Sequence, residues 1–522
     1  MLNAPVMSKL ISMMGGGPKA VSDNLFKIFP AIPTKFTAYN IYSGNLRMSI
    51  HGYPVLNGGA FPRLCNIIGQ SATGKSAVAV GLLTSAVDYV WHRYGEGYAN
   101  LDFFDVEDHT DDNRFCNVAG WTKFDWSTKC RHYPGDLSLV NLFNHILTIA
   151  DYKMKYKKDF LIPSGLRDVD GSEVLFMAPT FILVDSVAQI NTSGIEEILQ
   201  HDKAGDVKLL NQLASNMNGA TDAKEWTIFV KMIKPWLDKG NIGLYFINHK
   251  TKEIQTNMFQ VPTRRLPFLL PGEKLKGGEE LIYQSYNIFD LASGEKFNEK
   301  NPVYGPHVNG FAARASFVKN KNNIEGAQFP MVFDQFKGYL AEISDFEYLY
   351  QKKFGIDGSV KIKLDVLPEL EFTRRQLWET IQEYPQLGRA IQFTTKFHAS
   401  SVMLNNRPIV PSLKDFGTNL PLAQRLSIIY NFTNPQRKEE PTDEFEGFFR
   451  LAHENQHYWN FGNYDLRANN IVLEGSNIEA ASHGYNVIPN VGVTPFDVEL
   501  GTAEMVNGKY IKPKDVILNK TA

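Results

Sequence analysis

The feature that most constrains this chain is a complete glycine-rich pattern, G-x-x-x-x-G-K-S, at residues 69–76. An apolar run of strand character, residues 64–68, precedes the pattern, and an apolar segment of helical composition, residues 77–83, follows it. Strand, glycine-rich turn and helix in this order predict a loop whose backbone N–H groups converge on an anion at a helix N-terminus. The members of the predicted loop are Gly69, Gln70, Ser71, Ala72, Thr73, Gly74, Lys75 and Ser76.

The parts of this pattern have separate chemical tasks. Glycines let successive backbone N–H groups turn inward around a phosphate, and the N-terminus of the following helix adds partial positive charge. Lys75 is placed to reach β- and γ-phosphates, and the Ser76 hydroxyl is placed to ligate Mg²⁺. The pattern therefore predicts ATP and Mg²⁺ as cofactors, against the alternative of an ordinary glycine-rich surface turn.

Length and composition narrow the remaining possibilities. A chain of 522 residues is too long for one compact core, so two or three domains are expected. The net charge of −2 gives no global basis for binding nucleic acid, so any DNA contact has to come from local basic loops. Three scattered cysteines predict reduced thiols rather than a disulfide framework or a zinc cluster. Because no signal-peptide pattern and no apolar run of about 18 residues is found, we expect a cytoplasmic protein without membrane contact.

Between about residues 61 and 345, strand-like apolar runs alternate with helical stretches, which predicts an α/β fold with a mostly parallel sheet covered by helices. Residues 1–60 are interpreted as an N-terminal arm and oligomerisation segment. Residues 346–522 have a looser pattern and are expected to form a C-terminal domain of unknown role with a mixed α+β fold. The clearest predicted strands are residues 64–68, 101–106, 181–184, 242–247 and 313–318.

Two predicted strands end in carboxylates that suit a nucleotide site. Asp185 follows the apolar run 181–184, where it is placed to hold Mg²⁺ through its water shell. Glu107 follows Phe103, Phe104, Asp105 and Val106, where it is placed to accept a proton from water that attacks the γ-phosphate. Taken alone, such carboxylates are more often turn, cap or solvated residues, so both assignments depend on the loop beside them.

A third predicted strand ends in Asn248 and His249 and precedes a stretch, residues 250–278, in which the sequence predicts no regular structure. A polar side chain at this strand end can sense a γ-phosphate and pass its presence to the segment beyond. A single histidine in such a place is usually a satisfied structural residue, so this role for His249 also depends on its neighbours.

Five segments, in this order along the chain, resemble the RecA-type recombinases, and among them most closely the UvsX proteins of bacteriophages. The resemblance covers roughly residues 35–345 and implies a RecA-like P-loop ATPase core. The stretch from 235 to 253 is especially UvsX-like, because cellular RecA carries Gln where His249 stands. The five segments are residues 69–76, 104–107, 183–188, 246–249 and 317–321.

The resemblance assigns roles that the patterns alone left open. It implies that Glu107 is the catalytic base, that His249 is the γ-phosphate switch, and that Asp111 belongs to the nucleotide site. Lys319 and Lys321 would reach the nucleotide of the neighbouring protomer, so that ATP would hold a filament together. The chain departs from the family in three places. The adenine-stacking aromatic that the family has after Asp111 is missing, and residues 295–311 look like an insertion. The final third of the chain matches no part of the family.

Two loops on the same side of the predicted sheet as the phosphate loop carry basic residues. Such groups neutralise DNA phosphates, while apolar side chains such as Phe259 and Phe268 support the bases. A charge-rich loop is usually only solvated, but the family has its two DNA-binding loops here, and Gly277 and Gly278 match its loop-closing glycines. The basic residues are Lys203 and Lys208 in the loop 191–221, and Lys250, Lys252, Arg264, Arg265, Lys274 and Lys276 in the loop 250–278.

A competing motif lies in the final third of the chain. Residues 453–457 satisfy H-E-x-x-H, in which His453 and His457 can share a zinc with Glu454 as the base and Glu479 as a conceivable third ligand. The motif is about as rare by chance as the phosphate-loop pattern, but it lacks supporting segments. An amphipathic surface helix is therefore the favoured interpretation.

Together these features predict a DNA-dependent ATPase, a recombinase that forms filaments on single-stranded DNA and pairs it with homologous duplex DNA in recombination, repair and replication. Mediator and single-strand-binding proteins are further candidate partners. A RecA-fold ring helicase, an ATP-gated DNA-binding scaffold and a zinc hydrolase fused to an ATPase remain alternatives. The lysine pair Lys319 and Lys321 disfavours the helicase, because such helicases carry an arginine finger at that place.

Overall fold

The computed structural model describes residues 29–48, 54–168, 171–192, 221–252, 264, 266–403, 413–419, 422, 425, 429, 504–506 and 509–511. The helices are α1 Thr37–Ser43, α2 Lys75–Tyr94, α3 Asp112–Ala119, α4 Lys123–Lys129, α5 Leu139–Lys155, α6 Lys157–Phe160, α7 Thr221–Gly240, α8 Gly278–Gln284, α9 Ala341–Lys352, α10 Leu377–Glu383, α11 Pro385–Met403 and α12 Leu413–Asn419. Short 3₁₀ turns lie at Val187–Gln189 and Arg374–Gln376.

The strands are β1 Asn45–Met48, β2 Pro54–Asn57, β3 Leu64–Gly69, β4 Asn100–Asp105, β5 Cys130–Pro134, β6 Leu161–Arg167, β7 Glu173–Met177, β8 Thr180–Asp185, β9 Ile242–His249, β10 Thr251–Lys252, β11 Glu273–Lys274, β12 Asn287–Phe297, β13 Gly310–Asn320, β14 Gln328–Asp334, β15 Gly338–Tyr339, β16 Ile356–Asp357, β17 Ile362–Leu364, β18 Leu367–Phe372, β19 Glu504–Val506 and β20 Lys509–Ile511.

A nine-stranded sheet in the order β15-β14-β13-β12-β3-β9-β8-β4-β5 organises the fold. The run from β12 to β5 is parallel throughout. Strands β13, β14 and β15 extend one side of the sheet in antiparallel fashion. This arrangement confirms the α/β class with a mostly parallel central sheet.

The five strands predicted from apolar runs are present as β3, β4, β8, β9 and β13, and the predicted helix after the glycine-rich loop is present as α2. The prediction of no regular structure between 250 and 278 is wrong in detail, because Thr251 and Lys252 pair with Lys274 and Glu273. Two-residue strands have no periodicity that a sequence pattern could reveal.

Both faces of the sheet are buried, as parallel sheets require. On one face, Cys65 and Ile67 of β3 belong to the same hydrophobic cluster as Leu82 of α2. On the other face, Leu64 belongs to a second cluster with Phe229 of α7. Helices α2 and α7 therefore cover opposite faces, which positions the loop before α2 at the end of a fully buried strand.

The first cluster continues into the chain beyond the sheet, where Leu349, Leu377 and Phe393 of α9, α10 and α11 join it. Arg374 donates to a carboxylate oxygen of Glu347 on α9 at 2.6 Å and to the hydroxyl of the buried Tyr304, between β12 and β13, at 3.1 Å, which connects this part to the core. The domain boundary predicted after residue 345 falls inside α9, and the packing is continuous across it. Among the helices that the structure describes, none combines the length and hydrophobicity needed to cross a membrane.

Candidate nucleotide site and its basic surroundings

The glycine-rich loop connects the carboxyl end of β3 to the N-terminus of α2. Strand β3 ends at Gly69 and helix α2 begins at Lys75. Between them, Ala72 and Gly74 have φ values of 59° and 82°, in the left-handed region. These conformations turn the backbone sharply between strand and helix, as the predicted anion-binding loop requires.

Two glycines of the loop are required by close contacts, and Gly74 is required by its conformation as well. A Cβ at Gly69 would lie 2.5 Å from the carbonyl oxygen of Leu291 and 2.8 Å from Oγ1 of Thr73. A Cβ at Gly74 would lie 2.2 Å from Cζ of Phe311. The loop is therefore packed on both sides by atoms that leave no room for a side chain at these positions.

Lys75 is buried at the start of α2, and its Nζ donates to the carbonyl oxygen of Gln70 at 2.6 Å. Burial lowers the pKa of Lys75 to about 8, and the carboxylates of Asp185, Glu107 and Asp290 oppose that shift. An anionic ligand at the loop would favour the charged ammonium, since opposite charge stabilises it. The side chain is thus held among carboxylates in a place where phosphate would be its natural partner.

Ser76 and Asp185 meet at the loop from different parts of the chain. The Ser76 hydroxyl donates to Oδ2 of Asp185 at 2.5 Å. Burial raises the pKa of Asp185 to about 6, the hydrogen bond from Ser76 opposes this, and Glu107 adds to it. A hydroxyl and a carboxylate in contact form an oxygen donor pair that fits Mg²⁺. In the described parts of the chain, no three or more His, Cys, Asp or Glu side chains are grouped so that they could hold a metal. A Mg²⁺ ion held by Ser76 and Asp185 would therefore need water and phosphate oxygens as its other ligands.

Glu107 and His249 complete the group at this edge of the sheet. The Ser186 hydroxyl donates to Oε1 of Glu107 at 2.5 Å, and Nε2 of His249 lies 4.0 Å from the same oxygen. Burial lowers the pKa of His249, the Lys75 charge lowers it further, and Glu107 opposes both effects. The imidazole is therefore neutral at neutral pH. The fold brings together four segments that the sequence separates.

Sequence reasoning missed Asp290 and Phe311. Lys250, predicted to contact DNA, forms an ion pair with Asp290 at 2.6 Å, and its N–H donates to the carbonyl oxygen of Gly69 at 3.1 Å. Asp290 is level with Ile68 in the β12–β3 pairing. The sequence shows Asp290 only as a carboxylate between the apolar residues 288–289 and Leu291. That pattern does not reveal that its strand lies beside β3.

Asp111, predicted to belong to the nucleotide site, is the N-cap of α3 and accepts the N–H of Arg114 at 3.2 Å. Asp105 ends β4, is buried, and accepts the N–H of Thr110 at 2.8 Å. Both carboxylates therefore order the turn that follows β4. A contact of Asp111 with a nucleotide stays a prediction.

The second basic loop is closed at its base by pairing. Strands β10 and β11 form an antiparallel ladder, and the Asn248 amide donates to the carbonyl oxygen of Lys276 at 2.8 Å while accepting its N–H at 3.3 Å. Gly277 has a φ of 85° and caps α8, which begins at Gly278. The two predicted loop-closing glycines thus lie where the segment enters a helix.

Several predicted DNA contacts lie around this base. Lys252, Lys274 and Lys276 are exposed. Arg264 is also exposed, and its guanidinium donates to the carbonyl oxygens of Leu269, at 2.9 Å, and Pro267. The predicted residues that lie outside the described parts of the chain are Lys203, Lys208, Arg265, His453, Glu454, His457 and Glu479.

Lys319 and Lys321 lie toward the amino ends of the parallel strands, away from the glycine-rich loop. Lys319 pairs with Ile288, three residues before Leu291, which pairs with Gly69. At about 3.3 Å per residue and about 4.8 Å per strand, the Cα of Lys319 is about 14 Å from that of Gly69. The Lys319 Nζ donates to the carbonyl oxygens of Ile282 at 3.0 Å and Tyr283 at 2.5 Å, on α8.

The chain matches no protein-family model, and a search of curated proteins finds no significant match.

Proposed function

We propose that the protein is an ATP-dependent DNA recombinase of the RecA type, similar to the UvsX proteins of bacteriophages. It would bind ATP and Mg²⁺, form filaments on single-stranded DNA and promote pairing and strand exchange with homologous duplex DNA. The observation that carries this proposal is the meeting, at the carboxyl ends of neighbouring strands, of Lys75, Ser76, Glu107, Asp185 and His249.

In this function Lys75 and the loop backbone would bind the phosphates, with Ser76 and Asp185 holding Mg²⁺. Mg²⁺ held by these two residues would neutralise part of the phosphate charge. The Lys75 ammonium is partly desolvated before a ligand arrives, which is why its pKa is lowered to about 8. Phosphate charge would stabilise its protonated form and so favour tight nucleotide binding.

Glu107 would act as the general base on the water that attacks the γ-phosphorus. The hydroxyl of Ser186 holds one oxygen of this carboxylate at 2.5 Å, which fixes its orientation. His249, neutral and 4.0 Å from that oxygen, is followed directly by Lys250, whose N–H is bonded to Gly69. A change at the γ-phosphate would thereby reach the basic segment beyond Lys250.

The location of Lys319 supports a role across an interface between protomers. It lies about 14 Å from Gly69 at the opposite sheet edge, a span beyond the reach of a lysine side chain. Its side chain lies with α8, on the face away from α2. In a filament, Lys319 and Lys321 would supply positive charge to the nucleotide of the next protomer.

Two variants test the hydrolytic site. Glu107→Gln should keep ATP and DNA binding but lower ATP turnover by about 10² or more, as for loss of a general base. Lys75→Ala should abolish nucleotide binding. Glu96→Gln, at an exposed carboxylate beyond the C-terminus of α2, is the matched control and should retain full turnover. Wild-type turnover in Glu107→Gln would contradict the assignment.

Electron microscopy in negative stain, with single-stranded DNA and a non-hydrolysable ATP analogue, tests the assembly. Long helical filaments would support the recombinase, whereas closed rings would support a helicase. DNA binding without any ATP hydrolysis would instead indicate an ATP-gated scaffold.

A further inference from the structure

Three lysines meet at the amino edge of the sheet, away from the phosphate loop. Lys319 donates to two carbonyl oxygens near the C-terminus of α8. Lys234 of α7 donates to the side-chain oxygen of Gln284, the last residue of α8, at 3.3 Å. Lys321 lies two positions beyond Lys319. The end of α8 thus connects Lys234 to Lys319 of β13.

The positive charges of this cluster interact. The pKa of Lys319 is lowered to about 8, mainly by burial and also by the charges of Lys321 and Lys234, while Glu325 opposes the shift. Burial and the charge of Lys234 also lower the pKa of Lys321. The Glu325 carboxylate already accepts the N–H of Asn320 at 3.2 Å. Cations that repel one another at close range form a region of positive potential that suits a polyvalent anion.

Large apolar side chains flank the cluster. Tyr283, which precedes Gln284, is 55% exposed, and Ile324, which follows the lysine strand, is 74% exposed. Exposed aromatic and aliphatic side chains around a charged cluster are typical of a surface that meets another protein. In the proposed filament, the protein that meets this surface is a second copy of this chain.

We propose that Lys234 is a third cation, beside Lys319 and Lys321, for the terminal phosphates of a nucleotide bound in the phosphate loop of the next protomer. The inference rests on the proposed function, because it requires that loop to hold a nucleotide. It adds α7 to the elements that bind across the interface. Helix α7 leads directly into β9 and His249 of the same protomer. The contact of Lys234 with the neighbour's nucleotide would therefore connect the interface to the nucleotide site of its own protomer.

The test compares Lys234→Gln with Lys231→Gln. Lys231 is an exposed lysine on the same helix, and it is not among the charges that shift Lys319 or Lys321. Lys234→Gln should lower DNA-dependent ATP turnover about tenfold or more, as for loss of one charge-assisted hydrogen bond, whereas Lys231→Gln should match wild type. Lys234→Arg, which retains the charge, should recover part of the loss. Equal turnover in the two glutamine variants would overturn the proposal.

Mixing protomers separates action across the interface from action within one chain. Lys234→Gln mixed with Lys75→Ala should recover ATPase activity, because some interfaces then combine an intact loop with an intact Lys234. No recovery at any ratio, from variants that still bind DNA, would overturn the role across the interface.

A second measurement distinguishes failure of the inference from failure of the proposed function. Acylation of lysines, read by mass spectrometry, reports whether inorganic tripolyphosphate protects Lys234 and Lys321 but not Lys231. If the wild-type protein neither binds nor hydrolyses ATP, the proposed function fails, and protection would still support the three-lysine anion site. Absence of protection would overturn the site itself.

Discussion

Gly74 offers a direct test of the geometry of the glycine-rich loop. An added Cβ would lie 2.2 Å from Cζ and 2.5 Å from Cε2 of Phe311. The Phe311 ring cannot withdraw freely, because it stacks on Phe333 with centroids 5.4 Å apart and an interplanar angle of 17°. Gly74→Ala therefore combines a left-handed backbone conformation with a clash against a packed ring.

The two costs can be estimated separately. The left-handed conformation costs a residue with a Cβ about 1–2 kcal/mol. Overpacking costs about 1–3 kcal/mol more, so Gly74→Ala should lower the free energy of unfolding by about 2–5 kcal/mol. Gly120 is the matched control, because its φ is 74° and an added Cβ would meet nothing within 4 Å. Gly120→Ala should therefore cost only about 1–2 kcal/mol.

Urea unfolding followed by circular dichroism gives both values from the transition midpoints. Phe311→Leu removes the edge of the ring, so Gly74→Ala in that background should cost only about 1–2 kcal/mol. The two substitutions should then show a coupling energy of about 1–3 kcal/mol. The reasoning would be refuted if Gly74→Ala were no more destabilising than Gly120→Ala, or if the coupling were zero.

Two further predictions concern the carboxylates of Asp185 and Asp102. Burial raises the pKa of Asp185 from 3.8 to about 6, so the folded chain binds its proton more tightly and stability falls as pH rises from about 4 to 6. Asp185→Asn should remove about 3 kcal/mol of this dependence, measured by urea unfolding at both ends of that range, and an unchanged pH profile would contradict it. Asp102, fully buried, accepts hydrogen bonds from Arg131 at 2.6 and 2.7 Å and lies 2.7 Å from His145 Nε2. Asp102→Ala should lower the free energy of unfolding by about 3 kcal/mol, measured by thermal or urea unfolding. This is the low end for a broken buried ion pair, because Arg131 is half-exposed. A loss below about 1 kcal/mol would contradict the prediction and indicate that solvent screens the pair.

The parts of the fold that local patterns predicted share one physical property. Strands β3, β8 and β9 are buried on both faces, so each is encoded as a continuous apolar run that can be recognised without its neighbours. The glycine-rich loop was equally local, because the tight turn before α2 restricts its residue types in a short segment. The sheet class followed from the alternation of such units.

The contacts between distant segments could not be predicted in the same way. Lys250 was assigned to DNA from its charge, yet it is paired with Asp290, which depends on β12 lying beside β3. Phe311 restricts Gly74 only because β13 brings it to the loop, a contact that no local pattern encodes. Nothing in the sequence around Lys319 indicates that it lies toward the amino ends of the parallel strands, away from the glycine-rich loop.

The ladder between β10 and β11 has a consequence for the evolution of this chain. Backbone pairing holds Lys252 beside Glu273, and the Asn248 amide reinforces the same junction at Lys276. Leu266 and Leu269 are buried in one cluster with Ile68 and Ile288, so the chain is fixed on both sides of residues 253–263, and doubling the length of that stretch would add only about 0.6 kcal/mol of loop-closure entropy. The length of residues 253–263 can therefore change, or that stretch can accept an inserted fluorescent reporter, while the sheet and the glycine-rich loop keep their stability.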